Sequence, residues 1–101
     1  MKVDWTDLAL QSYEDEALYI LKKWNLHEVE KFSILVFKFN QLLETGTIQG
    51  KPTFLASTYF HVISKQTTVY YKVINEDSIE LLLFWNNKKD PKTLKAILTK
   101  L

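Results

Sequence analysis

Few residues in this chain are of a type and spacing that could carry chemistry. Glu14-Asp15-Glu16 is a run of carboxylates, the groups that serve acid–base work and metal binding. On a helix, adjacent residues splay around the axis and cannot share one site, so the run reads as a solvated face. His61 falls in a strand, with Tyr59 and Ile63 on its own side. Given access and a partner it could act as a general base; otherwise it is a half-buried structural histidine. His27 falls in the first turn of a helix and reads as a surface residue. The segment Trp85-Asn86-Asn87-Lys88-Lys89-Asp90-Pro91 leaves an apolar run and enters a proline-started helix. Two lysines beside a helix N-terminus suit an anion, and equally suit a solubilised turn. Tyr59, Phe60, Tyr70, Tyr71, Phe84 and Trp85 lie on successive strands near lysines, where aromatics either stack bases or pack a sheet.

The absences exclude more. With no cysteine there is no disulfide framework, thiolate metal site or cysteine nucleophile. Two histidines do not make a histidine-rich metal site, and no metal or cofactor is expected. No glycine-rich phosphate loop, G-x-S-x-G, H-E-x-x-H or aspartate-rich calcium loop is present. All 13 basic residues are lysine, so the bidentate guanidinium fork is missing. Anion recognition must use lysine point charges, backbone N–H groups or helix ends. The net charge of +1 hides an asymmetry: residues 1–30 carry seven acids and three lysines, residues 31–101 ten lysines and five acids. A basic C-terminal half suggests an acidic partner or nucleic acid, against a plain solvated surface.

The elements that must position these residues follow from periodicity. At 101 residues, 47% hydrophobic and 25% charged, the chain is expected to form one globular domain. It has no apolar run long enough to span a membrane. Its start lacks a secretory apolar region, and the cytoplasm is the expected location. Lys2 to Trp5 reads as a strand, and Thr6 as the N-cap of a helix. Ala9 or Leu10, Tyr13, Ala17, Leu18, Leu21 and Trp24 give that helix, from about Asp7 to Trp24, an apolar stripe. Asn25 caps a second helix with Leu26, Val29, Phe32, Val36, Phe39 and Leu43 in step, and Gly46 stops it. Thr45–Pro52 is a loop. Phe54–Ser64, Thr68–Asn75 and Ile79–Asn86 then read as strands. Leu81-Leu82-Leu83-Phe84-Trp85 is apolar throughout, as in a central strand covered on both faces. Asp90-Pro91 opens a last helix with Leu94, Ile97, Leu98 and Leu101 on one face. The predicted architecture is α+β, in the order β-α-α-β-β-β-α, with a helical hairpin on a small, mostly antiparallel sheet.

Three of these segments together resemble the RelE/ParE superfamily of bacterial type II toxins. They are Val3-Asp4-Trp5-Thr6 leading into a helical hairpin, the strand Thr67 to Val73, and the tail Phe84 to Leu94, "FWNNKKDPKTL". The family's tail signature has arginines where this chain has lysines. The resemblance implies a cognate antitoxin that wraps and neutralises the chain, an oligomer formed with it, and a role in growth inhibition or plasmid stabilisation. It implies one of two activities: ParE-like binding of a target such as DNA gyrase, or RelE-like cleavage of mRNA on the ribosome. A third reading is a toxin-derived domain without toxicity in an autoregulatory complex. The ribonuclease's strand lysines fall near Phe60 and Val62, its strand arginine near Thr68, its post-strand arginine near Lys89 and its late tyrosine near Lys95. Lys89 alone keeps a basic group in place; a shifted register brings in His61, Lys65 or Lys72. Lys88, Lys89, Lys92 and Lys95 are the expected partner contacts. A lysine of ordinary pKa is a poor base at neutral pH, which favours the ParE-like reading.

Overall fold

The computed structural model describes residues 1–101, in the order β1 (Lys2–Trp5), α1 (Asp7–Lys23), α2 (Leu26–Glu44), β2 (Lys51–Pro52), β3 (Thr58–Ser64), β4 (Thr67–Asn75), β5 (Ser78–Asn86) and α3 (Pro91–Lys100). Local chemistry sets the helix ends. The Thr6 hydroxyl accepts the Ala9 N–H at 3.1 Å, Asn25 Oδ1 accepts the Glu28 N–H at 3.0 Å, and Asp90 Oδ1 accepts the Lys92 N–H at 3.0 Å. Each satisfies a donor that the first helical turn leaves unpaired. At the end of α2, Gly46 adopts φ +70°, and the N–H groups of Gly46 and Thr47 return to the carbonyls of Leu43 and Leu42. This glycine-terminated closure turns the chain toward the sheet.

The sheet has strand order β1-β5-β4-β3-β2, with β1 parallel to β5 and every other pair antiparallel. It carries the helical hairpin on one face and α3 on the other. Ala9, Ile20, Phe32, Val36, Phe39 and Leu43 of the hairpin pack on Val69, Tyr71, Ile79, Leu81 and Phe84. Leu98 of α3, with Leu94 and Ile97 beside it, packs on Leu82, Leu83 and Trp85. Each fully buried large apolar side chain contributes about 1.5–3 kcal/mol. The register shifts between Tyr70↔Leu83 and Tyr71↔Leu81, leaving Leu82 as an extra residue on β5. This bulge explains the unbroken apolar run, because Leu82 and Leu83 both join the α3 core.

Two departures from the sequence reading have clear causes. The third strand begins at Thr58, not Phe54, and a two-residue strand, β2, falls inside the expected loop. Pro52 is tolerated there because β2 is the sheet edge. The approach of this segment needs Gly50: its N–H donates to Tyr71 Oη at 2.6 Å, and a Cβ there would stand 2.5 Å from the Phe60 carbonyl oxygen.

The second departure is the buried face of α1, which is Ala9, Ser12, Glu16 and Ile20, while Leu18, Leu21 and Trp24 are exposed. β1 pairs with β5 only as far as Leu81, so the rest of that edge of β5 has no neighbouring strand. α1 covers it with polar side chains. The Thr6 hydroxyl donates to the Leu81 carbonyl at 2.8 Å, and Ser12 Oγ accepts the Phe84 N–H at 2.9 Å. Glu16 Oε1 accepts from Asn86 Nδ2 at 3.1 Å. Buried backbone and amide groups must be paired, and here that need overrides the apolar stripe. Glu16 is therefore buried, not part of a solvated face.

Candidate functional site

The turn from β5 into α3 has a fixed backbone. Asn86 Oδ1 accepts the Lys88 N–H at 2.9 Å, and the Asn86 carbonyl accepts the Lys89 N–H at 3.0 Å. Asn87 ties the turn to the β3–β4 hairpin. Its N–H donates to the Gln66 carbonyl at 2.8 Å, its Nδ2 to the Lys65 carbonyl at 3.2 Å, and its Oδ1 accepts from Thr68 Oγ1 at 2.8 Å. The two asparagines thus hold Lys88 and Lys89 on a rigid base while both side chains remain exposed.

α3 divides the surface beyond this turn into two clefts. One, of about 340 Å³, lies between α1 and α3 over the end of β5, with Leu8, Tyr19, Trp85 and Ile97 as walls and Lys88 and Lys89 on its lining. Lys89 Nζ stands 5.6 Å over the Trp85 ring. The other, of about 250 Å³, runs along the opposite side of α3 between Phe54, Phe60, Tyr70, Leu94 and Lys95. Lys95 Nζ stands 5.4 Å over the Phe54 ring there. Lys92 is exposed in the first turn of α3 and borders neither cleft. The expected partner lysines are thus split by α3: Lys88 and Lys89 to one side, Lys95 to the other.

The expected catalytic candidates are not brought together. His61 points at α2, its ring stacked on Phe39 at 4.8 Å and 16°. Burial holds its pKa below the ordinary histidine value, which suits a neutral, structural imidazole. Lys65 is exposed in the β3–β4 turn beside a groove of about 330 Å³ lined by Ile20, Trp24 and Leu35. Lys72 is exposed on β4, opposite Thr58 and Glu80. At about 3.3 Å per residue, Lys72 lies on the order of 20 Å along the sheet from Lys65. The aromatic set divides likewise. Tyr59, Tyr71 and Phe84 face the hairpin, while Phe60, Tyr70 and Trp85 face α3. Burial pushes the Tyr70 and Tyr71 phenols upward, away from easy ionisation.

Residues that sequence reasoning passed over matter more at this turn. Glu16 anchors Asn86, and Tyr19, one turn further along α1, lines the same cleft as Lys88. Ser12, Glu16 and Ile20 do fall at steps of four, a face visible in the sequence, but a carboxylate on it gives no sign of its buried partners.

No protein-family model and no curated protein matches the chain. Solved structures do match. A chain of the chromosomal ParDE TA system from P. aeruginosa superposes with a TM-score of 0.70 at 12% identity, over 85% of this chain and 95% of that one. A toxin from Helicobacter pylori gives a TM-score of 0.63 at 8% identity, over 87% and 96%. YafQ from E. coli gives 0.58 at 6% identity, over 86% and 93%. What these chains share with this one is the fold: a RelE/ParE-type α+β fold.

Proposed function

We propose that this chain is the toxin of a type II toxin–antitoxin pair. It acts in the ParE-like manner, by binding a cellular target such as DNA gyrase, and a cognate antitoxin neutralises it. The observation that carries the toxin reading is the correspondence with the ParDE chain, at a TM-score of 0.70 over 95% of that chain. The tail Asn86-Asn87-Lys88-Lys89-Asp90-Pro91 supports it, because its two asparagines build the turn that presents the lysines.

The sheet supports binding over RNA cleavage. Attack by a ribose 2′-hydroxyl needs a base, an acid and a charge stabiliser gathered around one phosphate. Phe60 and Val62 stand where the resemblance to the ribonucleases expects lysines. Thr68, at the place of the strand arginine, is buried and donates to Asn87. Leu98 of α3 packs over the same face.

The hairpin leaves apolar side chains for the antitoxin to cover, with Trp24 and Leu35 lining one groove and Leu10 and Phe37 another. Leu18, Leu21, Trp24, Ile34, Leu35 and Phe37 of the hairpin are all at least 42% exposed. Apolar area of this kind on a small protein marks a protein interface, and grooves between helices accept amphipathic segments. Induced expression in bacteria should stop growth, and co-expression of the adjacent gene's product should restore it and co-purify. Normal growth on induction contradicts the toxin reading.

A further inference from the structure

β1 ends the sheet on one side, and its outer edge is bare. The N–H groups of Lys2 and Thr6 donate to the Asp77 and Leu81 carbonyls, and Lys2 to Trp5 run parallel to Ser78 to Leu81. Bonding direction alternates along a strand, so Lys2, Asp4 and Thr6 bond inward to β5. The N–H and C=O groups of Val3 and Trp5 therefore point away from the sheet. The opposite edge is guarded. β2 is two residues long, and one of them, Pro52, has no N–H to offer. β1 has no such guard: its register with β5 is unbroken, and Lys2 and Asp4 are exposed.

We propose that this edge pairs with β1 of a second copy of the chain, antiparallel, about a two-fold axis through Val3. Lys2 Nζ and Asp4 Oδ2 stand 3.9 Å apart on one face of the strand, while Val3 between them packs toward the hairpin core. In the proposed register Val3 faces Val3 of the second copy, Lys2 faces its Asp4, and Asp4 faces its Lys2. Opposite charges then meet at both cross-strand pairs. A strand with charges of one sign would repel its own copy, whereas Lys-Val-Asp is complementary to itself when reversed. The two Val3 residues exchange N–H···O=C bonds, and each Trp5 N–H meets the Met1 carbonyl of the other copy. Lys2 and Asp4 fall at the pairs without backbone bonds, where facing side chains stand closest. The axis is normal to the sheet, so the two sheets run on as one and both hairpins lie on one face. The contact spans only Met1 to Trp5 and buries less than the roughly 1,200 Å² of a stable interface, so the dimer is weak, on the order of 100 μM. This edge lies apart from the β5–α3 turn, and its pairing does not depend on the toxin reading.

The test is sedimentation of the full chain between about 10 μM and about 1 mM. The expected result is monomer at the low end and mostly dimer at the high end. In a mixture of labelled and unlabelled chain, an NOE from the Lys2 Hα of one copy to the Asp4 Hα of the other reads the register directly. Asp4→Lys sets lysines against lysines, and Lys2→Asp sets aspartates against aspartates. Each variant alone should dimerise at least about tenfold more weakly than the wild type. Mixed one to one, the two variants should recover the wild-type affinity, because every lysine again faces an aspartate. The NOE uses the unaltered chain, so it decides the matter even if a variant fails to fold. A monomer at about 1 mM, NOEs that join hairpins or α3 helices, variants that associate as the wild type does, or a mixture no tighter than its components would each overturn the proposal. So would a chain that stays monomeric alone and gains protection at the Val3 and Trp5 amides only when the adjacent gene's product is added, since the edge would then take a different partner's strand.

Discussion

Glu16 Oε2 accepts the Thr67 hydroxyl at 2.5 Å, joining the middle of α1 to the first residue of β4. The same carboxylate accepts Asn86 Nδ2, and Asn86 Oδ1 in turn accepts the Lys88 N–H. One buried side chain thus sets the geometry of the turn that carries Lys88 and Lys89. Glu16→Ala should destabilise the protein by about 1–3 kcal/mol for each partner left buried and unpaired. Glu16→Gln, which keeps one acceptor oxygen, should cost less. Urea denaturation of the two variants checks both the size and the order.

Trp85 is 6% exposed and packs with Leu82, Leu83 and Leu98 between the sheet and α3. Trp85→Ala should cost about 3–5 kcal/mol, and α3 should lose protection with it. Thermal unfolding together with hydrogen exchange in α3 reads the effect. A variant that melts like the wild type and loses only its biological effect would mean that Trp85 serves a binding surface.

His61 sets a pH dependence with a definite sign. Its folded pKa lies below the unfolded value of about 6.5, because burial against Phe39 disfavours the charged ring. Between those two values the unfolded chain binds more protons, so stability rises with pH. The full contribution is present above about pH 6.5, and it is lost as pH falls through the folded pKa. Urea midpoints should therefore drop on acidification below about pH 6.5 and level off below the folded pKa, and His61→Gln should flatten the drop.

Lys88 and Lys89 are exposed, and their backbone is held by asparagines rather than by their own side chains. Lys88→Ala with Lys89→Ala should leave the melting temperature near wild type and abolish growth inhibition. Retained inhibition would reduce both lysines to a solvated turn. Added salt should weaken the target complex of the wild-type chain, since exposed charges are screened within about 10 Å at 0.1 M.

Much of this fold is legible because local chemistry and tertiary packing agree. Thr6, Asn25 and Asp90 mark helix starts by the bonds they make in the structure, and Leu81 to Trp85 is buried on both faces as its composition implies. The face of α1 is not legible. It depends on where β1 stops, and no periodicity in α1 records that β5 has an open edge beyond Leu81. Leu18 and Leu21 read as core for the same reason that they now read as interface: both are apolar at helical spacing. β2 is two residues long and has no period to detect. The turn lysines were legible as a pair, but the anchoring of their turn by Glu16 and the cleft that Lys88 shares with Tyr19 are tertiary, between elements far apart in the chain.

The most direct measurement follows the order of events after induction, recording labelled amino-acid incorporation and a DNA-damage reporter in the same culture. A ParE-like toxin predicts early reporter activation and filamentation while incorporation continues. Incorporation that collapses first, with cleaved mRNA and a silent reporter, would contradict that reading and make the chain a ribosome-dependent ribonuclease.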